Sequence, residues 1–156
     1  MDLVEELREI ESIKQLKYRY MRGIDEKLWD QIEQCFTPDA TCAYSGDKYS
    51  YEGRDAIMKF LVESMDRGSF LSSHRVHHPE IELTSPTRAT GTWALEDYVI
   101  DTKLGITLHG AAFYRDVYVK TEAGWKIAHT GYERTFEQVQ PRADQGWTLT
   151  DRRFSD

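Results

Sequence analysis

A change of hydrophobic period near the middle of the chain limits its fold more than any other feature. In the first segment apolar residues fall at Leu3, Leu7, Ile10, Ile13, Leu16, Tyr20 and Ile24, in the steps of three and four that mark one helix face. From residue 74 onward the period is two. Alternating runs cover residues 74–84, 88–101 and 105–120, and a fourth spans 124–137 after the "TEAGW" turn. "SPT" at 85–87 and "KLG" at 103–105 have the composition of hairpin connections. Helices followed by a strand meander predict an α+β fold, with helices packed on one face of a curved antiparallel sheet.

The amphipathic pattern predicts a first helix over residues 2–23, stopped at Gly23. Asp25 is then placed to cap a second helix running through Leu28, Trp29, Ile32 and Phe36. "TPDA" at 37–40 has the form of a turn, and "TCAYS" that of a short strand. "EGRDAIMKFLVESM" predicts a third helix that buries Ala56, Ile57, Phe60, Leu61 and Met65. The 156 residues are expected to form one domain, with residues 139–156 as a polar tail that docks on the sheet or on a neighbouring subunit.

Composition serves mainly to exclude. With 20 basic and 27 acidic residues the net charge is −7, whereas a phosphate-backbone binder needs a basic stripe. A nucleic-acid partner is therefore not expected. No apolar run reaches the length of a membrane span, and the acidic start "MDLVEELREIE" is unlike a secretory signal. Cys35 and Cys42 form neither a CxxC pair nor a disulfide framework, and fit reduced thiols in a cytoplasm.

"HRVHHPEI" places three of the five histidines within five positions. On a strand His74 and His77 point to opposite faces, and His74 and His78 stand roughly 13 Å apart along one face. Pro79 and "EIEL" argue for a strand, so a shared metal is not expected; His77 and His78 suit a solvated strand end. His74 differs if a partner shares its face. In "GTWALEDYVID" Asp97 alternates with Trp93, Leu95 and Val99, where a charge is costly unless paired or set in a cavity; a bulge turning it outward is the alternative. Tyr20 sits on the first helix's apolar stripe, as a core or a pocket residue. Asp25 is open between helix cap and site residue. His109 alternates with Ala111 and Phe113, a pattern that admits an inward-facing core histidine.

The segments "YRYMRGIDEKLWDQIEQCFTPDA", "SSHRVHHPEI", "GTWALEDYVI" and "GAAFYRDVYVKTEAGWKIAHTGYERTF" together resemble the SnoaL-like group of the nuclear-transport-factor-2-like superfamily. The likeness is to its dehydratases, scytalone dehydratase and bile acid 7α-dehydratase, over residues 8–138. It implies a cone: a strongly bent sheet wrapped on helices around one deep pocket. It also implies roles: His74 as catalytic histidine with Asp25, Tyr20 and Asp97, and Tyr44 and Arg134 near the substrate. A homo-oligomer is implied, trimer favoured over dimer. Scytalone itself is disfavoured, because residues around Ala112 and Tyr114 replace a serine and an asparagine of that enzyme.

The expected chemistry is loss of water from a hydroxylated cyclic ketone or enone, with a small hydrophobic cyclic molecule as substrate. His74, oriented by Asp25 or Asp97, takes a proton made acidic by the carbonyl, while Tyr20 and Tyr44 bind the enolate oxygen. No metal or organic cofactor is called for. His109 is a further candidate on the substrate side. The alternatives are a ketosteroid-isomerase-like double-bond shift, a non-catalytic small-ligand binder, and a dioxygenase small-subunit-like protein.

Overall fold

In the computed structural model, which describes residues 1–155, the helical segment comes first and the strands follow. Helix α1 spans Leu3–Glu26 and opens with a capping box, in which Asp2 and Glu5 satisfy each other's free backbone N–H groups. It is longer than its pattern suggests. Gly23 does not stop it; it is the contact point with the second helix, where a Cβ would lie 2.7 Å from Ile32 Cγ1. The stop is Lys27, in the left-handed conformation, with the Leu28 N–H returning to the Gly23 carbonyl. Asp25 therefore lies in the last turn of α1. It does not cap α2, which spans Trp29–Cys35 behind Leu28.

The "TPDA" segment is strand rather than turn. It belongs to β1 (Phe36–Tyr44), which takes Phe36 from the expected helix. β1 pairs parallel to the last strand through Phe36↔Ile127 and Thr41↔His129, with an irregularity between. Pro38 sits in that irregular stretch, where its missing N–H costs no ladder bond. A short β2 (Tyr49–Glu52) folds back on β1 after a turn with positive φ at Ser45, Gly46 and Asp47. Helix α3 (Arg54–Met65) buries Ile57 and Leu61, while Phe60 and Met65 pack at the edge of the core.

The meander is β3 (Phe70–Ser85), β4 (Arg88–Asp101), β5 (Ile106–Thr121) and β6 (Gly124–Pro141). β3 starts four residues before His74, and residues 139–141 belong to β6 instead of a tail. The six-stranded sheet has the order β2-β1-β6-β5-β4-β3, antiparallel except at the β1–β6 junction. The class is α+β, and the curved sheet wraps the helices as expected; it is mixed, not purely antiparallel. On β4 the odd positions Trp93, Leu95, Asp97, Val99 and Asp101 face inward. On α1 the buried stripe is Ile13, Leu16, Lys17, Tyr20 and Ile24, whereas Leu3 and Leu7 are exposed on the first turns. No helix among the described residues is long and apolar enough to cross a membrane.

Candidate active site

Two turns of α1 and the start of β3 build the first half of the site. Helical spacing turns Tyr20 and Ile24 inward, and the next residue, Asp25, faces β3. Its carboxylate receives three close donors: the His74 ring at Nδ1 (2.7 Å), the Ser72 hydroxyl (2.9 Å) and the His74 backbone N–H (2.8 Å). The Arg75 guanidinium stands 3.7 Å from Oδ2, the oxygen that accepts the His74 backbone N–H. A carboxylate at a helix C-terminus meets the negative end of the dipole, so these donors offset a local cost. With Nδ1 donating to Asp25, the neutral ring carries its lone pair on Nε2.

Strand register places Asp97 directly beside His74, on the face that alternation assigned to it. Their side chains nevertheless do not pair with each other. Asp97 accepts both Nη groups of Arg134 from β6, at 2.5 and 3.0 Å. Arg134 reaches it across β5 because Gly110, the register partner of Asp97, has no side chain; a Cβ there would strike the guanidinium and lie 2.9 Å from Asp97 Oδ1. The imidazole partner left open between Asp25 and Asp97 is thus Asp25.

Tyr20 and Tyr44 are both fully buried, their hydroxyls 2.7 Å apart. Burial pushes both phenols well above the ordinary tyrosine range, so they remain protonated donors. These two residues, with His74, Asp97, Tyr132 and Arg134, line one cavity of about 450 Å³ inside the cone. A second bidentate pair, Arg67 with Asp101, at 2.5 and 3.0 Å, also lines it. Asp25 does not line this cavity. It lies behind His74 and borders a groove of about 430 Å³ between α1 and β3, so it acts on the cavity only through the imidazole.

His109 departs from its expected place. The inward residues of β5 are Leu108, Gly110, Ala112 and Tyr114, so the opposite parity carries His109 and Phe113 to the outer sheet face. There its ring packs edge-on against Phe136 and its Nε2 lies 3.9 Å from Glu96. The small residues Gly110-Ala111-Ala112 hide the parity in the sequence. His77 and His78 are exposed and stacked on each other, at a bulge where His78 has φ 32°. Among the described residues, no group of three or more His, Cys, Asp or Glu side chains is placed to hold a metal ion.

Sequence reasoning missed a second polar cluster. Lys17 is wholly buried, 2.7 Å from Asp116, which also accepts the Tyr118 and Thr130 hydroxyls at 2.7 Å each. Trp93 Nε1 donates to Tyr118 at 2.9 Å. A signal existed: Lys17 falls on the stripe Ile13–Lys17–Tyr20–Ile24, where a cation needs a buried partner.

A curved sheet wrapped on helices around one cavity, with ionisable groups on an aromatic wall, defines a small-molecule pocket protein. A SnoaL-like domain model matches residues 5–131, and the chain belongs to that family. An uncharacterised protein of Mycobacterium tuberculosis (strain H37Rv) is 22% identical over 136 residues, covering 87% of this chain and 92% of its own length. Among solved structures, a protein of Novosphingobium aromaticivorans provisionally assigned as a scytalone dehydratase superposes with a TM-score of 0.78 at 24% identity, over 85% of this chain and 88% of that one. The hexachlorocyclohexane dehydrochlorinase LinA-type3 of Novosphingobium barchaimii superposes with a TM-score of 0.80 at 14% identity, over 97% and 100%. At these identities the structural likeness speaks to the fold alone.

Proposed function

We propose that this protein is a lyase that eliminates water from a hydroxylated cyclic ketone or enone, without a cofactor, with His74 as the proton-transfer group. The observation that carries this reading is the Asp25–His74 pair: a carboxylate outside the cavity holds Nδ1 from behind the ring, and the same histidine lines the cavity. Nε2 takes a proton from the carbon next to the substrate carbonyl, and the C–H electron pair moves to form the enolate. A phenol of the Tyr20–Tyr44 pair donates to the enolate oxygen. As the enolate collapses, the bond to the β-hydroxyl breaks, and the imidazolium returns its proton to the departing oxygen, giving water and an enone. A positioned acid–base group contributes about 10²- to 10⁴-fold, and the buried phenols supply further stabilisation as charge develops on oxygen. Two structural neighbours, one provisionally assigned as a scytalone dehydratase and the other a hexachlorocyclohexane dehydrochlorinase, carry activities that are eliminations, which supports the same class of step.

The chain is also read as a homotrimer joined through outer sheet faces, where Phe113, Phe136 and Val139 are exposed. The test of function is a panel of β-hydroxy cyclic ketones, including steroid-like and aromatic polyketide-like frames, followed by enone absorbance. Wild type should convert at least one compound, and His74→Ala should lose that turnover while keeping the fold. Conversion of a β,γ-unsaturated ketone without loss of water would replace the lyase by an isomerase. Tight binding with no turnover of any compound would replace it by a binder.

A further inference from the structure

The reaction above makes no use of the buried Lys17–Asp116 pair. A buried ion pair is seldom more stabilising than apolar residues of similar volume, so its presence calls for a reason other than stability. Its surroundings supply one. Lys17 Nζ lies 3.4 Å from the centroid of the Tyr114 ring and 5.1 Å from that of Tyr20, both of which line the cavity. Every hydroxyl around the pair is partnered: Tyr118 and Thr130 on Asp116, Tyr20 on Tyr44. Tyr114 is the exception. It is 2% exposed, and among the described residues its hydroxyl meets no hydrogen-bond partner. Tyr114 lines the cavity, so a hydroxyl with no partner in the protein is available to a molecule bound there.

We infer that Tyr114 is a further catalytic residue, whose hydroxyl donates to the substrate's carbonyl and then enolate oxygen, and that Lys17 is the positioning residue that holds its ring. The inference rests on the elimination reading of this cavity. Tyr20 and Tyr44 spend one O–H on each other, which leaves their pair one hydrogen to give; Tyr114 adds a second donor to the oxyanion site. The ammonium against the ring face fixes the ring by cation–π attraction and draws electron density from it, which strengthens the O–H as a donor. Burial pushes the Tyr114 pKa well up, so the group donates and is not ionised at neutral pH. Asp116, two residues along the same strand, holds the ammonium in place.

Naphthols with electron-withdrawing substituents test this, because their ionised form is a flat oxyanion and their absorbance reports the ionised fraction. Wild type should bind them with that fraction raised over solution at the same pH. Tyr114→Phe keeps the ring and its contact with Lys17. It should bind the naphtholate about tenfold more weakly, the worth of one hydrogen bond to a charged oxygen, with an unchanged thermal midpoint. The charge-free pair Lys17→Met/Asp116→Leu should lower the ionised fraction in the same direction, a readout that a purely structural role would not move. Tyr114→Phe decides the inference by itself, and the double variant apportions the effect. Wild-type affinity and ionised fraction in Tyr114→Phe, beside a loss in Tyr20→Phe, would overturn the inference and leave the elimination reading standing. If wild type binds no naphthol at all, the inference falls, while the elimination reading still stands or falls on turnover of the hydroxy-ketone panel.

Discussion

Asp25 and Asp116 are each saturated by three close donors, yet they differ in what those donors can do next. Asp116 holds an ammonium and two hydroxyls, and both it and Lys17 have no exposed side-chain surface. Asp25 holds a ring whose far edge borders a cavity, and the two side chains are 12% and 16% exposed. Saturation alone therefore does not mark a reactive carboxylate. The mark is a titratable partner with one nitrogen left over and room beside it. Asp97 falls between the two: it lines the cavity, but Arg134 holds both its oxygens, so it shapes and charges the wall without a free edge for proton transfer.

The harshest way to break this contrast is to strip one partner from the sealed pair. Lys17→Met leaves a buried carboxylate uncompensated, and thermal or urea unfolding should show a loss of about 3–5 kcal/mol. Next comes the open pair. His74→Ala should cut turnover of any true substrate by about 10²-fold or more, with unfolding little changed, and Asp25→Asn should follow in the same direction. His77→Ala is the control, expected within about 0.5 kcal/mol of wild type in stability and unchanged in activity. A collapse in His77→Ala with survival in His74→Ala would sink the histidine assignment. Gly110→Ala forces a methyl between Arg134 and Asp97, and should cost about 1–3 kcal/mol by overpacking; a neutral result would show that Arg134 reaches Asp97 by another path.

Two smaller effects sharpen the picture. Tyr20→Phe removes the hydroxyl bonded to Tyr44, so it should lower stability by about 1 kcal/mol as well as turnover. A purely catalytic role for Tyr20 would have left the midpoint alone. On the cavity wall, hydrogen bonding from Arg67 holds the Asp101 carboxyl below its ordinary value of 3.8. A depressed carboxyl adds stability above its unfolded pKa, and loses it as pH falls through the folded one. Acid unfolding should therefore steepen below about pH 4 in wild type and less so in Asp101→Asn; matching curves would show that Arg67 does not favour the ionised form.

The two-residue alternation of β4 made the inward face of Asp97 legible, and the helical stripe did the same for Tyr20. The partner of His74 was not legible, because it depends on how far α1 runs past Gly23, and a left-handed Lys27 sets that end. Tertiary packing overrode the glycine as a stop signal: Gly23 serves Ile32 instead. Pro38 within "TPDA" suggested a turn, but a parallel pairing with a strand almost ninety residues away is invisible to any local window. His109 was misplaced because Gly110-Ala111-Ala112 gives alternation nothing to count. Lys17 was missed because a lysine on an apolar stripe reads as a surface residue until Asp116 is found beneath it.

That same β1–β6 junction also governs the order of events at the ribosome. Asp25, Ser72 and His74 are all made within the first half of the chain. β1 is made earlier than every other strand, yet its parallel neighbour is made last, with Thr41 waiting for His129 and Ala43 for Gly131. Closing so long a loop comes late and slowly, as for any fold dominated by distant contacts. Until then the hairpin of β1 and β2 exposes an unpaired edge bearing Cys42 and Tyr44, the kind of edge on which strands of other chains can pair.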